Sequence, residues 1–239
     1  MSEYEIPPYI EEMFRYNLTN EDLEAIRYAL KDMVKPVKLM LFISRSKLEC
    51  FSCEDTVKLI KAVASNSPLI GDRQAIELTI YDIVEDWEIA KKFGVSRVPT
   101  ILLLDGVIKY LGMPAGEELK GFIQTVIRLS NGEHGLSEET VEEIAALDGK
   151  VVIEVIVTPP CPYCPYAALM ANMFAYVSKV YGRGNIETHI VEAYENPDIA
   201  DKYAVTTVPT IAINNRVVFV GLPHEVQLLR AVKRLARKV

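Results

Sequence analysis

The chain has 239 residues, half of them hydrophobic, and a formal net charge of −7 at pH 7. This length allows one large domain or two domains of about 120 residues, each with a substantial core. An acidic chain is a poor partner for nucleic acid, because phosphate contacts need a basic surface.

The opening of the chain lacks the basic stretch and apolar core of a signal peptide, and no apolar run approaches the roughly 20 residues of a membrane helix. We therefore expect a cytoplasmic protein without a membrane partner. All four cysteines fall in two C-x-x-C pairs, which in that compartment indicates redox chemistry or metal binding rather than structural disulfides. Abundant Glu, Lys and Arg with only three Gln give a weak hint of a thermophilic source.

The first half of the chain alternates helical and extended patterns after an N-terminal extension at residues 1–20. Asn20 is a candidate N-cap for the first regular helix, and Pro36 ends that helix. In chain order the predicted elements are a helix over 21–33, a strand over 37–43, a helix after Cys53, a strand over 76–81, a short helix over 85–93, a hairpin over 101–110 that turns at Asp105-Gly106, and a closing helix over 117–129.

The second half repeats the same order of elements after a candidate linker at residues 131–136. The predicted elements are a helix over 138–147, a strand over 151–157, a helix after Cys161, a strand over 186–191, a short helix over 198–203, hairpin strands over 211–213 and 217–220 that turn at Asn214-Asn215, and a helix from 225 onward.

Three landmarks show that the repeat is positional. Cys161 follows Cys50 by 111 residues, Pro209 follows Pro99 by 110, and a second Gly-x-Pro follows the first by 109. Repeats of this size are duplicated domains, because solenoid repeats have periods of roughly 20 to 50 residues. The sequence therefore predicts two similar α/β units, at residues 21–130 and 137–239.

Each unit places a C-x-x-C motif at a helix start and a Val-Pro-Thr before a β-hairpin, which resembles the thioredoxin fold, a mixed central sheet flanked by helices. The Pro162-Tyr163 dipeptide is similar to that of glutaredoxins. The tandem pair, over nearly the whole chain, resembles the protein disulfide oxidoreductases of hyperthermophilic archaea and bacteria. This resemblance implies disulfide exchange with protein substrates, a likeness to protein disulfide isomerase, and reduction by a thioredoxin reductase-type flavoprotein. The first motif, residues 50–53, departs from it because it contains no proline.

The second motif can also be argued from its chemistry. A thiolate attacks a disulfide, and a helix N-terminus or a C-x-x-C motif lowers a thiol pKa from about 8.5 to about 3.5–7.5. Pro162 suits the first helical position, since it has no N–H to leave unpaired. We predict that Cys161 attacks and Cys164 resolves. The alternative is a structural zinc site, which needs four ligands close together, whereas these pairs are 111 residues apart and no histidine flanks them. We therefore expect no metal and no cofactor beyond the cysteine disulfides.

The first pair, Cys50 and Cys53, has acidic neighbours. Glu49, Glu54 and Asp55 flank it, and negative charge disfavours a thiolate. Our hypothesis is that Cys50 has a higher thiol pKa than Cys161 and that its disulfide is the more reducing, although Arg45 and Lys47 can cancel this effect. The alternative is a degenerate first site with only a docking role.

The two Val-Pro dipeptides, Val98-Pro99 and Val208-Pro209, precede strands. The likeness to the thioredoxin fold implies cis peptide bonds that face the cysteine pairs. Each would leave the backbone of the valine free to pair with an extended substrate. The alternative is a trans proline that starts a strand.

Two further residues are candidates. Glu154, in an otherwise apolar strand, is a possible proton acceptor, although thioredoxins carry their buried acid one position later, at Val155. Because alternation sends neighbouring residues to opposite faces, the alternative is an exposed or ion-paired carboxylate. Tyr163 is predicted to pack over the disulfide and select partners, or else to be a surface aromatic.

Three functions fit this pattern. The first is a thiol-disulfide oxidoreductase that forms, reduces or rearranges protein disulfides. The second is an electron relay between a flavoprotein reductase and a peroxidase such as a peroxiredoxin, which resembles the tandem thioredoxin-like region of alkyl hydroperoxide reductase flavoproteins. The third is a non-enzymatic chaperone that binds peptides beside the prolines.

Overall fold

A computed structural model describes residues 7–46 and 50–236. Its helices and strands in chain order are α1 (Pro8–Met13), α2 (Asn20–Leu30), β1 (Val37–Ile43), α3 (Cys53–Ser65), β2 (Leu69–Ile70), β3 (Arg73–Gln74), β4 (Ile76–Asp82), α4 (Trp87–Phe93), β5 (Thr100–Leu103), β6 (Ile108–Leu111), α5 (Glu118–Asn131), α6 (Glu138–Ala145), β7 (Val151–Val157), α7 (Cys164–Tyr181), β8 (Ile186–Glu192), α8 (Pro197–Lys202), β9 (Thr210–Ile213), β10 (Arg216–Val220) and α9 (Glu225–Leu235).

The two units share one mixed sheet of eight strands, in the order β10-β9-β7-β8-β6-β5-β1-β4. Within each unit the strand patterns are the same. β1 lies between parallel β4 and antiparallel β5, and β7 lies between parallel β8 and antiparallel β9. This repeat confirms the predicted fold of two thioredoxin-like units with mixed sheets.

The units are joined head to tail. Strand β6, the last strand of the first unit, pairs in parallel with β8 of the second, from Ile108 opposite Thr188 to Leu111 opposite Val191. Strands β1, β6, β7 and β8 run in the same direction, so their carboxyl ends meet at one edge of the sheet. Both C-x-x-C motifs and the loops after β6 and β8 therefore lie at that edge.

A buried polar network crosses the joint. The amide of Asn172 on α7 donates to the hydroxyls of Tyr110 (3.0 Å) and Thr125 (3.1 Å), and its carbonyl accepts from Thr188 Oγ1 at 2.9 Å. All four side chains are buried. Since unpaired buried polar groups are costly, this network favours one arrangement of the two units.

Two local predictions were wrong by a few residues. Thr19, not Asn20, caps α2, through a capping box with Asp22. Helix α7 begins at Cys164 with Tyr163 as its N-cap, so Pro162 precedes the helix and Pro165 lies in its first turn.

The N-terminal extension contributes to the core. Ile10 and Phe14, at α1 and its end, are buried, and the ring of Phe14 contacts that of Phe51 edge to face, with centroids 5.3 Å apart. The extension therefore packs against the first cysteine motif. No helix in the described part of the chain is long and apolar enough to cross a membrane.

Candidate redox sites

Both cysteine pairs lie at helix starts, as the sequence predicts. Cys53 opens α3 and Cys164 opens α7, and each pair forms a disulfide with the Cα atoms 5.5 Å apart. The first cysteine of each pair, Cys50 or Cys161, is 7% exposed, whereas the second is more deeply buried. An incoming thiolate can therefore reach the first sulfur more readily.

The second site has a hydrogen bond suited to a thiolate. The backbone N–H of Cys164 donates to Cys161 Sγ at 3.1 Å, and an N–H at a helix start stabilises negative charge. Beside this pair the side chains of Tyr163 and Tyr166 are each 63% exposed, and Pro162 is exposed. The site therefore offers an aromatic surface next to its attacking sulfur.

The first site has different neighbours. Among the described residues none donates to Cys50 Sγ, and Ser44 N donates to Cys53 Sγ at 3.5 Å. The site opens into a cleft of about 680 Å³, lined on one side by the N-terminal extension through Glu11, Phe14 and Arg15.

The charges that the sequence places around the first pair are largely paired. Glu54 and Asp55 both contact Lys58 Nζ, at 3.1 and 3.2 Å. Arg45 contacts Glu85 at 3.0 Å and Asp82 at 3.9 Å. Because its positive charge is shared with these two carboxylates, it contributes less to stabilising a cysteine thiolate. Residues Lys47 and Glu49 lie outside the described part of the chain.

Both Val-Pro peptide bonds are cis, which confirms what the resemblance implied. The carbonyl of Pro99 accepts from Gly112 N at 2.9 Å, and that of Pro209 accepts from Gly221 N at 2.7 Å. The repeated Gly-x-Pro landmark is thus the loop that holds the proline. Among described residues no hydrogen bond involves the backbone of the preceding valine in either unit.

A loop of the second unit reaches the first site. The carboxylate of Glu195, between β8 and α8, accepts hydrogen bonds from Ser52 Oγ and from Met113 N. Ser52 belongs to the first C-x-x-C motif and is 1% exposed. Sequence reasoning missed this contact, because Glu195 lies in a polar stretch that resembles an ordinary surface loop.

Glu195, which is partly exposed, belongs to a group of three carboxylates between the units, with buried Glu192 at the end of β8 and buried Glu118 at the start of α5. Burial raises the pKa of Glu118 to about 8 and that of Glu195 to about 7. Burial, and then the charge of Glu195, raise the pKa of Glu192 well above its usual value. Neither oxygen of Glu118 has a hydrogen-bond partner among the described residues. Sequence analysis did not single out any of the three.

The structure corrects one alternative for Glu154. This carboxylate is neither exposed nor ion-paired within the described residues. It is buried, with an exposed fraction of only 8%, and accepts a hydrogen bond from Tyr203 Oη near α8. Burial, and then this hydrogen bond, raise the pKa of Tyr203. Val155 is buried in the core on the other face. A catalytic role of Glu154 stays a prediction.

The described residues contain no group of three or more His, Cys, Asp or Glu side chains arranged to hold a metal ion.

Comparison with known proteins identifies the family. A thioredoxin domain model matches the chain twice, at residues 43–124 and 151–233. The chain belongs to the thioredoxin domain family. Each match contains one cysteine pair and one Val-Pro-Thr. This thioredoxin domain protein is 35% identical over 85 residues to a thioredoxin of Methanocaldococcus jannaschii, a match that covers 36% of this chain and 95% of the relative.

Solved structures match over both domains. A protein disulfide oxidoreductase from Aeropyrum pernix is 43% identical, with a TM-score of 0.91, over 95% of this chain and 98% of that one. The alkylhydroperoxide reductase protein AhpF of Enterococcus faecalis, as a C503A mutant, has a TM-score of 0.75 at 20% identity, over 92% of this chain and 99% of that one. The second likeness shows the fold alone.

Proposed function

We propose that this protein is a thiol-disulfide oxidoreductase that exchanges disulfides with protein substrates. The observation that carries the proposal is the Cys161–Cys164 pair at the start of α7, where Cys164 N donates to Cys161 Sγ beside an exposed aromatic surface. Similarity to a protein disulfide oxidoreductase over nearly the whole chain supports it.

In the reducing direction the Cys161 thiolate attacks a substrate disulfide. A bond forms between Cys161 and one substrate sulfur, and the other substrate sulfur leaves as a thiolate. Cys164 then attacks Cys161, which releases the second substrate sulfur and leaves the Cys161–Cys164 disulfide. Two electrons pass from the enzyme to the substrate, and the reverse sequence oxidises a substrate dithiol. The cysteine pairs carry this chemistry, and we propose no further cofactor.

Substrate contacts are assigned to groups around the second pair. Tyr163 and Pro162 provide exposed surface at the motif, and the backbone of Val208, held by Pro209, is available to pair with an extended chain. Val98 and Pro99 take the corresponding role at Cys50 and Cys53, which we propose as a second redox centre. Protein surfaces with thiols or disulfides are the substrates implied by this arrangement.

The finer context of the activity is also a proposal. We propose a thioredoxin reductase-type flavoprotein as the source of electrons and a peroxiredoxin as one acceptor. An electron relay uses the same two sites, so it differs only in partners. The division into residues 21–130 and 137–239 and the cytoplasmic location stay predictions from the sequence.

Reduction of insulin by dithiothreitol tests the proposal. We expect the protein to accelerate the reaction, and Cys161→Ser to lower the acceleration at least tenfold. Cys50→Ser in the same assay measures the share of the first site. No acceleration over the reagent alone contradicts the oxidoreductase function, and protection of an aggregating protein by a variant without cysteines would indicate the chaperone instead. Full activity of Cys161→Ser would show that the Cys50–Cys53 pair, not the Cys161–Cys164 pair, carries out the reaction.

A further inference from the structure

The first redox motif is completed by the second unit. Glu195 extends from the loop between β8 and α8, and its two oxygens accept from Ser52 Oγ and, at 2.6 Å, from Met113 N. Ser52 directly precedes Cys53, the first residue of α3. The carboxylate of Glu195 therefore lies at the amino end of the helix that carries the first cysteine pair.

The loop that carries Glu195 is fixed to the first unit by further contacts. Arg97, two residues before Pro99, donates to Asn196 Oδ1 at 2.8 Å and to both oxygens of Asp198 at 3.0 Å. Asn196 Nδ2 donates to the carbonyl of Leu111 at 2.9 Å. The second unit thus contacts the first redox site at two places: Ser52 of the C-x-x-C motif, and Arg97 close to the cis proline Pro99.

A close approach at Gly112 shows how tightly the loop is docked. A Cβ atom on this glycine would lie 2.6 Å from Glu195 Oε2 and 2.6 Å from Glu192 Cβ. Real Cβ atoms do not come so close to other heavy atoms, so the position of the carboxylate depends on the absence of a side chain at residue 112.

Among the described residues no carboxylate of the first unit binds the second motif, although Glu117 N donates to the carbonyl of Pro159 beside it at 2.9 Å. Tyr163 holds the place of Ser52 in its motif and is 63% exposed. The residue that corresponds to Glu195 in the first unit, 110 positions earlier, is Glu85, an exposed residue that pairs with Arg45. The difference follows from the head-to-tail joint, because β6 pairs with a strand of the second unit whereas its counterpart β10 lies at the edge of the sheet.

We propose that Glu195 is a positioning residue of the first redox site, supplied by the second unit, and that its negative charge disfavours the Cys50 thiolate. The proposal rests on the proposed redox function of the Cys50–Cys53 pair. The amino end of α3 stabilises negative charge, and a carboxylate already bound there offsets the field available to a thiolate. The first disulfide is then more reducing than it would be without Glu195, because its reduced form is less stabilised.

The charge on Glu195 depends on pH near neutrality. Burial raises its pKa to about 7, and the hydrogen bonds from Ser52 and Met113 N oppose that rise. The groups that face it are its acidic neighbour Glu192, Glu118 beyond that residue, Arg97 with its partners Asn196 and Asp198, and the first turn of α3, where Glu54 and Asp55 pair with Lys58. Below about pH 6 Glu195 is mostly neutral, so its effect on Cys50 should disappear there.

The test uses the full chain with Cys161→Ser and Cys164→Ser, so that only the first pair reacts. The alkylation rate of Cys50 against pH gives its thiol pKa, and equilibration with glutathione gives the constant for the reaction in which two glutathione thiols reduce the disulfide and form glutathione disulfide. We expect Glu195→Gln to lower the pKa by about one unit, typical of removing a nearby like charge. At pH 8 the dithiol should be favoured about threefold, or about 15 mV for a two-electron couple.

Matched variants separate charge from shape. Glu187→Gln removes a half-exposed carboxylate at the far end of β8 and should leave both quantities unchanged. Glu195→Asp keeps the charge and should resemble the parent more than the Gln variant does. Thermal melts establish that each variant folds, and the second pair, measured with Cys50→Ser and Cys53→Ser, should keep its potential.

Three outcomes would overturn the inference: an unchanged Cys50 pKa in Glu195→Gln, a difference in Cys50 alkylation rate between this variant and the parent that persists below pH 6, or an equal change of potential in both pairs. These outcomes are independent of the proposed function, since the pKa and the potential are measured without a protein substrate. A shift as expected, in a protein that does not accelerate insulin reduction, would support the role of Glu195 and contradict the proposed function.

Discussion

The two redox sites have the same motif spacing but different surroundings. In the first, the residue before the second cysteine, Ser52, is covered and bound by Glu195 of the other unit. In the second, the residue at that place, Tyr163, is exposed to solvent. Two units that are equivalent in sequence pattern become inequivalent once they pack head to tail. Within the described residues a carboxylate of the second unit binds the first motif, whereas the first unit contacts the second site through the backbone of a flanking residue, Pro159. We infer that the first site is adjusted from within the molecule and the second is the one presented to partners.

The largest effect is expected at the joint that creates this difference. Asn172→Ala removes the amide that connects Tyr110, Thr125 and Thr188, and it leaves their buried hydroxyls with fewer partners. We expect the free energy of unfolding to fall by about 3 kcal/mol, from lost hydrogen bonds and a cavity. Urea denaturation measures this value. Asn185→Ala, which loses one hydrogen bond to Leu147, should cost about 1 kcal/mol, and equal losses would contradict the role of the network.

Buried Glu118, one of the three carboxylates between the units, should make the stability of the folded protein depend on pH. Glu118 has a folded-state pKa of about 8 and an ordinary value of 4.5, so between these values the folded protein keeps a proton that the unfolded chain releases. The free energy of unfolding therefore falls as pH rises through this window. We expect Glu118→Gln to match the parent near pH 4.5 and to be more stable by about 3 kcal/mol at pH 7.

Urea denaturation at both pH values measures this difference. Glu117→Gln is the control, because the neighbouring carboxylate is paired with Lys120 at the surface. A pH-independent difference between Glu118→Gln and the parent would show that Glu118 is already ionised in the folded protein.

The docking of the loop can be tested by a matched pair of glycines. Gly112 and Gly221 correspond in the repeat, and both have positive φ, at 108° and 97°, so alanine strains the backbone at each. Only Gly112 is crowded, by Glu192 and Glu195, whereas nothing lies within 4 Å of a Cβ at Gly221. We expect Gly112→Ala to cost about 2 kcal/mol more than Gly221→Ala in the free energy of unfolding. Equal costs would mean that the loop carrying Glu195 can move away from a side chain at residue 112 without loss of stability.

The smallest effect is expected at the second redox site, where Tyr163 is exposed. Tyr163→Ala should raise KM for insulin about threefold with little change in kcat, because it removes apolar contact area for a protein substrate. Steady-state kinetics of insulin reduction measure both constants. Tyr28→Ala, also strongly exposed, serves as the control. A parallel loss with a small-molecule disulfide substrate would mean that Tyr163 acts on the cysteines themselves.

The fold and the cysteine sites were predictable because they depend on short-range patterns. Apolar residues over 151–157 and the spacing of each Val-Pro-Thr from its cysteine pair are local signals. The structure confirms the strand and the two cis peptide bonds that were expected from them and from the resemblance. The sequence predicts that Pro162 opens the helix, whereas it precedes the helix, because residue patterns locate a helix start only to within one or two residues. The burial and hydrogen bond of Glu154 are not visible in the sequence, because its partner, Tyr203, comes from a segment about 50 residues later.

By itself the sequence determined that this chain has two thioredoxin domains with a cysteine pair at a helix start in each, because these features follow from residue order and spacing. Only the tertiary structure decided that β6 pairs with β8, a choice between exposed strand edges that no local pattern encodes. That pairing brings Glu192 and Glu195 beside Gly112 and Ser52. The two sites therefore differ less in their motifs than in what the rest of the molecule places next to them.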